Sequence, residues 1–251
     1  MKNLILTLFI FILQTVSSQT FMTIQKNDGT TVVIQLSQID SITYSGNPLQ
    51  NNILSNPGSP VVFDGYSYPT IVLGNGQQWM AENLKTSRYA NGDSIPYVQD
   101  SSIWNNTQIG SQTQYNNNQQ LESTWGKLYN FYAVVDNRNV CPTGWHVPTV
   151  ADFDLLTNYL GGEVIAGGSL KETSYWQLPN QGASNLIGFS ALPAGYRYST
   201  GFSLMSQHGG FWTSSEDGTN AWSKDVHYDS ESMTTGYCQK TAGLSIRCIK
   251  D

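Results

Sequence analysis

The sequence predicts an α+β domain in which short, irregularly joined antiparallel strands outnumber helices. Three observations point there. Charge is sparse: Asp, Glu, Lys and Arg make up 12% of the 251 residues, about half the usual 25%. Polarity comes instead from Asn, Gln, Ser, Thr and Tyr, and 23 glycines demand many turns. Only "PTVADFDLLTNYLGG" carries a clear helical period, whereas most other apolar runs are brief and end at Gly or Asn.

Taken in order, "MKNLILTLFIFILQTVSSQT" has one Lys, an apolar core from Leu4 to Leu13 and small residues at Val16, Ser17 and Ser18. That is the anatomy of a signal peptide over 1–18, cleaved after Ser18. The apolar run is well short of the roughly 20 residues of a membrane helix. No Cys follows it to take a lipid, and no later stretch is apolar enough to span a bilayer. The expectation is an exported chain, secreted or at the cell surface, with no transmembrane segment after cleavage. The net charge of −6 argues against nucleic-acid partners, which need clustered Lys and Arg.

Residues 19–45 read as a small β-hairpin segment. Asn27-Asp28-Gly29 supplies a tight turn, Thr31 to Leu36 alternate, and a short strand is expected at Ile42 to Tyr44. Residues 46–60 mix Pro, Gly, Asn and Ser and read as a linker. The main domain is expected over 61–251, long enough for its own core.

In that domain Tyr68 to Leu73 and Gln77 to Met80 form a hairpin around Gly74-Asn75-Gly76. Trp104 to Gly126 is polar and without period, and reads as a long surface excursion whose Asn run is solvated. The helix starts at Thr149, which caps it with Asp152 as the acidic partner of a capping box. Phe153, Leu156, Tyr159 and Leu160 fall on one face, and Gly161-Gly162 ends it. The later segments "SLKETSYW", "GFSALPAGYRY", "GFWTSS", "AWSKDVHY" and "LSIRCIKD" are short and strand-like. The glycine pairs at Gly161, Gly167 and Gly209 read as turns.

Several phrases in order resemble the Fibrobacter succinogenes major paralogous domain: "GQQWMAENLKT", "GKLYNFYAVVD", "CPTGWHVPTVADFDLLTNYLGG", "GGSLKE", "GFSALPAGYR", "GFWTSSE" and "GLSIRCIKD". The likeness runs from about Asp64 to Asp251. It implies a C-type-lectin-like fold shared with formylglycine-generating enzymes, with two helices around a small irregular antiparallel sheet and long loops. It also implies extracellular binding, although fold alone does not carry function. The leading segment is similar to hairpins found in exported proteins of the Bacteroidetes.

Three cysteines in an exported chain favour one bridge with one thiol left over. The resemblance implies Cys141–Cys248, joining the entry of the first helix to the final strand. Closing that loop contributes about 4–5 kcal/mol in the chain-entropy model. The rivals are Cys238–Cys248 across a C-terminal hairpin, or three reduced thiols. With Cys141 and Cys248 joined, Cys238 is left buried and inert or available to another chain.

Enzymatic readings fare poorly. Cys238 and Cys248 lack the surroundings of the formylglycine-generating pair. His146, His208 and His227 lie in separate segments without ligand spacing, and His146 beside the helix cap reads as structural. There is no G-x-S-x-G elbow and no phosphate-cradling loop. Calcium is the one metal considered: Glu216, Asp217, Asn220 and Asp225 offer hard oxygen ligands, while Leu178-Pro179-Asn180 lacks the leading amide or carboxylate of sugar-chelating lectins. No other cofactor is expected. Among the aromatics, Trp79, Trp145, Trp176, Trp212 and Trp222 are assigned to the core. Trp104, Tyr115, Tyr196, Tyr198 and Phe202 are the ligand-contact candidates. The reading is a non-enzymatic exported module that recognises a glycan or an extracellular protein. A passive surface or matrix component is the alternative, and a cysteine-dependent oxidase comes last.

Overall fold

The computed structural model describes residues 54–251 and, before them, three strands: β1 (Ile12–Val16), β2 (Gln19–Gln25) and β3 (Thr31–Gln35). These three form an antiparallel sheet of order β1-β2-β3, with Val16 opposite Gln19 and Gln25 opposite Thr31. β1 falls within the expected signal peptide. The rest of that peptide and the strand expected at Ile42 to Tyr44 lie outside the described residues. The chain divides into two compact units, 1–51 and 52–251.

The larger unit opens with β4 (Ser55–Phe63), β5 (Tyr66–Leu73) and β6 (Gln78–Met80). The expected linker therefore ends early, because Ser55 to Pro60 already belong to a strand. Pro57 and Pro60 are tolerated since β4 is an edge strand, and it bulges between Gly58 and Val61. A Cβ on Gly58 would stand 2.3 Å from Thr70 Oγ1, so only glycine fits there.

The segment read as a surface excursion is folded in. It contains α1 (Ser101–Asn106), β7 (Gln112–Thr113), two single 3-10 turns and α2 (Glu122–Trp125), leading to β8 (Leu128–Tyr129) and α3 (Phe131–Val134). Its polar residues find partners far away: Trp104 Nε1 donates to Thr241 O at 2.6 Å, and Asn130 Oδ1 accepts from Ser111 N at 2.9 Å. Local composition does not reveal such partners.

β9 (Trp145–His146) precedes α4 (Val150–Tyr159). The capping box forms: Thr149 Oγ1 accepts from Asp152 N at 3.2 Å, and Asp152 Oδ2 accepts from Thr149 N at 2.8 Å. α4 buries Phe153 against Trp79, with ring centres 5.0 Å apart. Gly161 and Gly162 take positive φ and end the helix. A second helix, α5 (Glu163–Leu170), follows at once. Gly167 and Gly168 therefore lie inside a helix and not in a turn. A Cβ on either would stand 2.2 Å from Ser232 O or 2.6 Å from Gly182 O, so the pair lets two loops press onto the helix.

After a hairpin of β10 (Tyr196–Tyr198) and β11 (Gly201–Ser203) comes a meander, β12 (His208–Asp217), β13 (Asn220–His227) and β14 (Met233–Gln239), and the chain closes with β15 (Ile249–Lys250). His208-Gly209-Gly210 is thus buried strand, not the expected turn. The sheets are β4-β5-β6-β15-β9 and β12-β13-β14, with ribbons β7-β8 and β10-β11. The meander is clad on both faces. Phe211, Val226 and Met233 join the helix-side core with Trp79 and Phe153, while Trp212 and Ala221 join the core that holds Cys141, Tyr129 and Phe131. Trp222, expected in the core, is half-buried against exposed Tyr237.

Cys141 and Cys248 are bonded, with Cα atoms 6.0 Å apart. The described residues form an α+β domain, and no helix among them is long and apolar enough to cross a membrane.

Candidate functional site

An open cleft of about 530 Å³ lies among the start of β5, the strand β7, the helix α2 and the approach to β8. That volume is within the usual range of small-ligand sites, about 300–1,000 Å³. Its back wall is Gln112, Gln114 and Lys127, and its rim is Tyr66, Ser87, Tyr97, Gln119, Glu122 and Ser123. No aliphatic side chain lines it.

The charges within it are matched. Glu122, first residue of α2, accepts from Gln114 Nε2 at 2.5 Å and from the Tyr66 hydroxyl. Lys127 Nζ stands 3.5 Å from the same carboxylate and donates to Ser87 Oγ. The bond to Glu122, reinforced by burial, pushes the Tyr66 hydroxyl up to about 12. Burial pulls the Lys127 ammonium below the ordinary lysine range, and Glu122 opposes that pull.

The amides are not matched. Gln112 is 3% exposed, yet its side chain makes no hydrogen bond and its Oε1 is buried without a partner. Gln114, equally buried, spends its Nε2 on Glu122 and leaves its Oε1 unpaired. A buried polar group left alone costs about 1–3 kcal/mol. Both oxygens are sealed from the surface, so the fold carries them as internal unpaired groups behind the cleft wall. A second groove of about 380 Å³ shares Ser123 with the cleft and is lined by Glu82, Glu172, Tyr175 and neighbours. There Trp125 and Tyr175 meet edge to face with ring centres 5.4 Å apart.

The aromatic candidates from the sequence lie elsewhere. Trp104, expected at the surface, is fully buried, and the Arg197 guanidinium sits 4.3 Å from its ring centre. The loop polarity around it hid that anchoring role. Tyr115 and Phe202 are half-buried and packed together at 5.4 Å, with Arg197 also over Phe202. Tyr196 and Tyr198 form a separate T-shaped pair at 4.6 Å. The five do not make one surface.

Tyr198 instead meets the free thiol. Its hydroxyl is 2.8 Å from Cys238 Sγ, and Ser223 Oγ is 4.0 Å from the same sulfur. Burial pushes the Cys238 thiol up, away from the nucleophilic thiolate. Cys248 is committed to the disulfide, so the two-cysteine oxidase arrangement is not formed.

The four candidate calcium ligands also fail to converge. Glu216 is ion-paired with Lys240, and Asp217 and Asn220 face each other at the tip of the β12-β13 hairpin. Asp225 is buried further along β13, where it binds His208 Nε2 at 2.8 Å and Ser223 Oγ at 2.7 Å. Asp225, opposite Gly210, lies well along the hairpin from the tip that holds Asp217 and Asn220, so the four do not surround a single ion. Among the described residues no three His, Cys, Asp or Glu gather as a metal group. Asn180 points its amide nitrogen back to Glu172 O and Thr173 O. His146 binds Asp251 Oδ1 at 2.6 Å, a terminal latch beside the cap.

The cleft residues escaped sequence reasoning because Gln112, Gln114 and Glu122 sit in a stretch that reads as solvated. One signal was available: Lys127 stands alone at the head of the apolar run "KLYNFYAVV". A model of the Fibrobacter succinogenes major domain matches residues 72–250. No curated protein and no solved structure matches the chain.

Proposed function

Since the chain belongs to the Fibrobacter succinogenes major domain family, we propose that it is an exported, non-enzymatic recognition module of C-type-lectin-like fold. It binds a glycan or a protein outside the cell. The carrying observation is a polar, tyrosine-rimmed cleft of ligand size whose one lysine and one carboxylate are paired with each other. The order of the two helices and the meander, with a bridge from helix entry to last strand, supports the lectin-like reading. A disulfide in an oxidising compartment supports export. A protonated, half-buried Cys238 and a Lys127–Glu122 pair that neutralises itself favour binding over catalysis.

The test is a glycan array together with pull-down from surface proteins, using wild type and Tyr97→Ala at the cleft rim. Saturable binding that falls at least tenfold in the variant, with its circular dichroism unchanged, is the expected result. Absence of saturable binding in both formats overturns the proposal.

A further inference from the structure

We infer that the folded chain cross-links itself: Lys127 Nζ displaces ammonia from the Gln114 side-chain amide, leaving an isopeptide bond across the ends of β7 and β8. The ladder brings the two residues together. Gln112 faces Tyr129 and Thr113 faces Leu128, so the next position puts Gln114 opposite Lys127, where cross-strand Cβ atoms stand about 4.5–5.5 Å apart. Both line the cleft, and each is 3% exposed. One oxygen serves them both: Glu122 Oε2 is 3.5 Å from Lys127 Nζ and accepts from Gln114 Nε2 at 2.5 Å. The Tyr66 hydroxyl holds that carboxylate in place. The other buried lysines lack this set. Lys171 donates to backbone carbonyls, and Lys224 to the carboxylates of Asp154 and Glu163.

The step balances without a co-reactant. Lys127 gives a proton to Glu122, and the freed lone pair attacks Gln114 Cδ. The Nζ–Cδ bond forms, and the Cδ–Nε2 bond breaks with its electron pair on Nε2. Two protons leave Nζ in all; Glu122 passes both to Nε2, which departs through the open cleft as ammonium. A lysine held out of water is an activated amine nucleophile, and fixed contact replaces a bimolecular encounter. Gln114 Oε1 has no donor to steady the developing oxyanion, so the bond forms slowly after folding and not along with it. It needs nothing that the cleft binds, and so stands or falls apart from the recognition reading above.

The experiment is a tryptic map of the reduced full chain after a week at neutral pH, folded or in urea. Trypsin does not cut at an acylated lysine. Expected from the folded sample is one peptide from Tyr89 to Arg138, lighter by one ammonia, in place of separate peptides ending at Lys127 and Arg138. Fragmentation should place the link at Gln114 and Lys127. The urea sample and folded Glu122→Gln should hold at least tenfold less of it. Complete cleavage after Lys127 in the folded wild type overturns the inference. Loss of ammonia with that cleavage intact does the same, since it marks ring closure at Asn91-Gly92. A link that forms equally in urea or in Glu122→Gln also overturns it, because neither the fold nor the carboxylate would then direct the step.

Discussion

Two buried lysines divide the molecule. Lys171, at the end of α5, is fully buried, and its ammonium donates to Gln181 O, His227 O and Ser230 O, each at 2.8 Å. Every donor is used, and the carbonyls come from three different loops or strand ends. Lys127, across the domain, sits among Glu122, Ser87 and glutamines whose oxygens stay unpaired. Both cations are removed from water, yet one region is saturated and the other is not. A saturated site holds backbone in place; the other region leaves two glutamine oxygens buried and unpaired, at a cost to stability. Arg247 stands between the two kinds: its terminal nitrogens go to Met80 O, Phe189 O, Ser190 O and Asn83 Oδ1 between the rings of Phe189 and Phe211, while its Nε is buried without a partner.

The most severe way to break this contrast removes the staple that serves both regions. The segment from Leu244 to Lys250 bridges Tyr129 on the cleft side and Phe211 on the helix side, and Cys248 anchors it. Replacing Cys141 and Cys248 together by Ala is expected to cost about 4–5 kcal/mol, the chain entropy of a loop of this length, read from the urea midpoint. A loss below about 1 kcal/mol would show that packing alone holds the segment.

A smaller effect tests the saturated region. Lys171→Met leaves three carbonyls without their donor and should cost about 3 kcal/mol at pH 7. Burial pulls the ammonium down to about 8, against about 10.4 in the unfolded chain, while the carboxylates of Asp229 and Glu231 work against that shift. Between those values the unfolded chain holds the extra proton, so stability rises with pH. That rise should be present in the wild type and absent from the variant in denaturant titrations at pH 8, 9 and 10. A variant as stable as the wild type would remove the distinction between the two lysines.

The smallest effect has the opposite sign. Gln112→Met takes away an unpaired amide and should leave stability unchanged or raise it by up to about 1 kcal/mol. A clear loss in thermal melts would mean that Gln112 supports the fold, and the contrast between the two lysine regions would narrow.

How much of this was legible depends on the range of each interaction. The Thr149–Asp152 box and the Gly161-Gly162 stop are local, and the residues declare them. The hairpin around Asn75 is likewise local. The Cys141–Cys248 bond spans 107 residues and came from family resemblance, not from spacing. Trp104 was misplaced because its partners, Arg197 and Thr241, lie far along the chain and no local pattern points to them. The pairs Gly167-Gly168 and Gly209-Gly210 lie in a helix and a strand for the same reason: a glycine pair signals a turn unless a distant segment needs the space. The cleft was the least legible part. Its lining comes from separated segments, from Tyr66 to Lys127, and no local pattern brings them together.

The Lys171 cage carries one more consequence. Three carbonyls converging on a positive charge is an arrangement that a dissolved ion can also complete, but a dissolved ion leaves when its supply runs low. Here the charge is tethered to the chain itself. Neither dilution nor a chelator can strip it, so this junction keeps its shape in mineral-poor water as well as in brine.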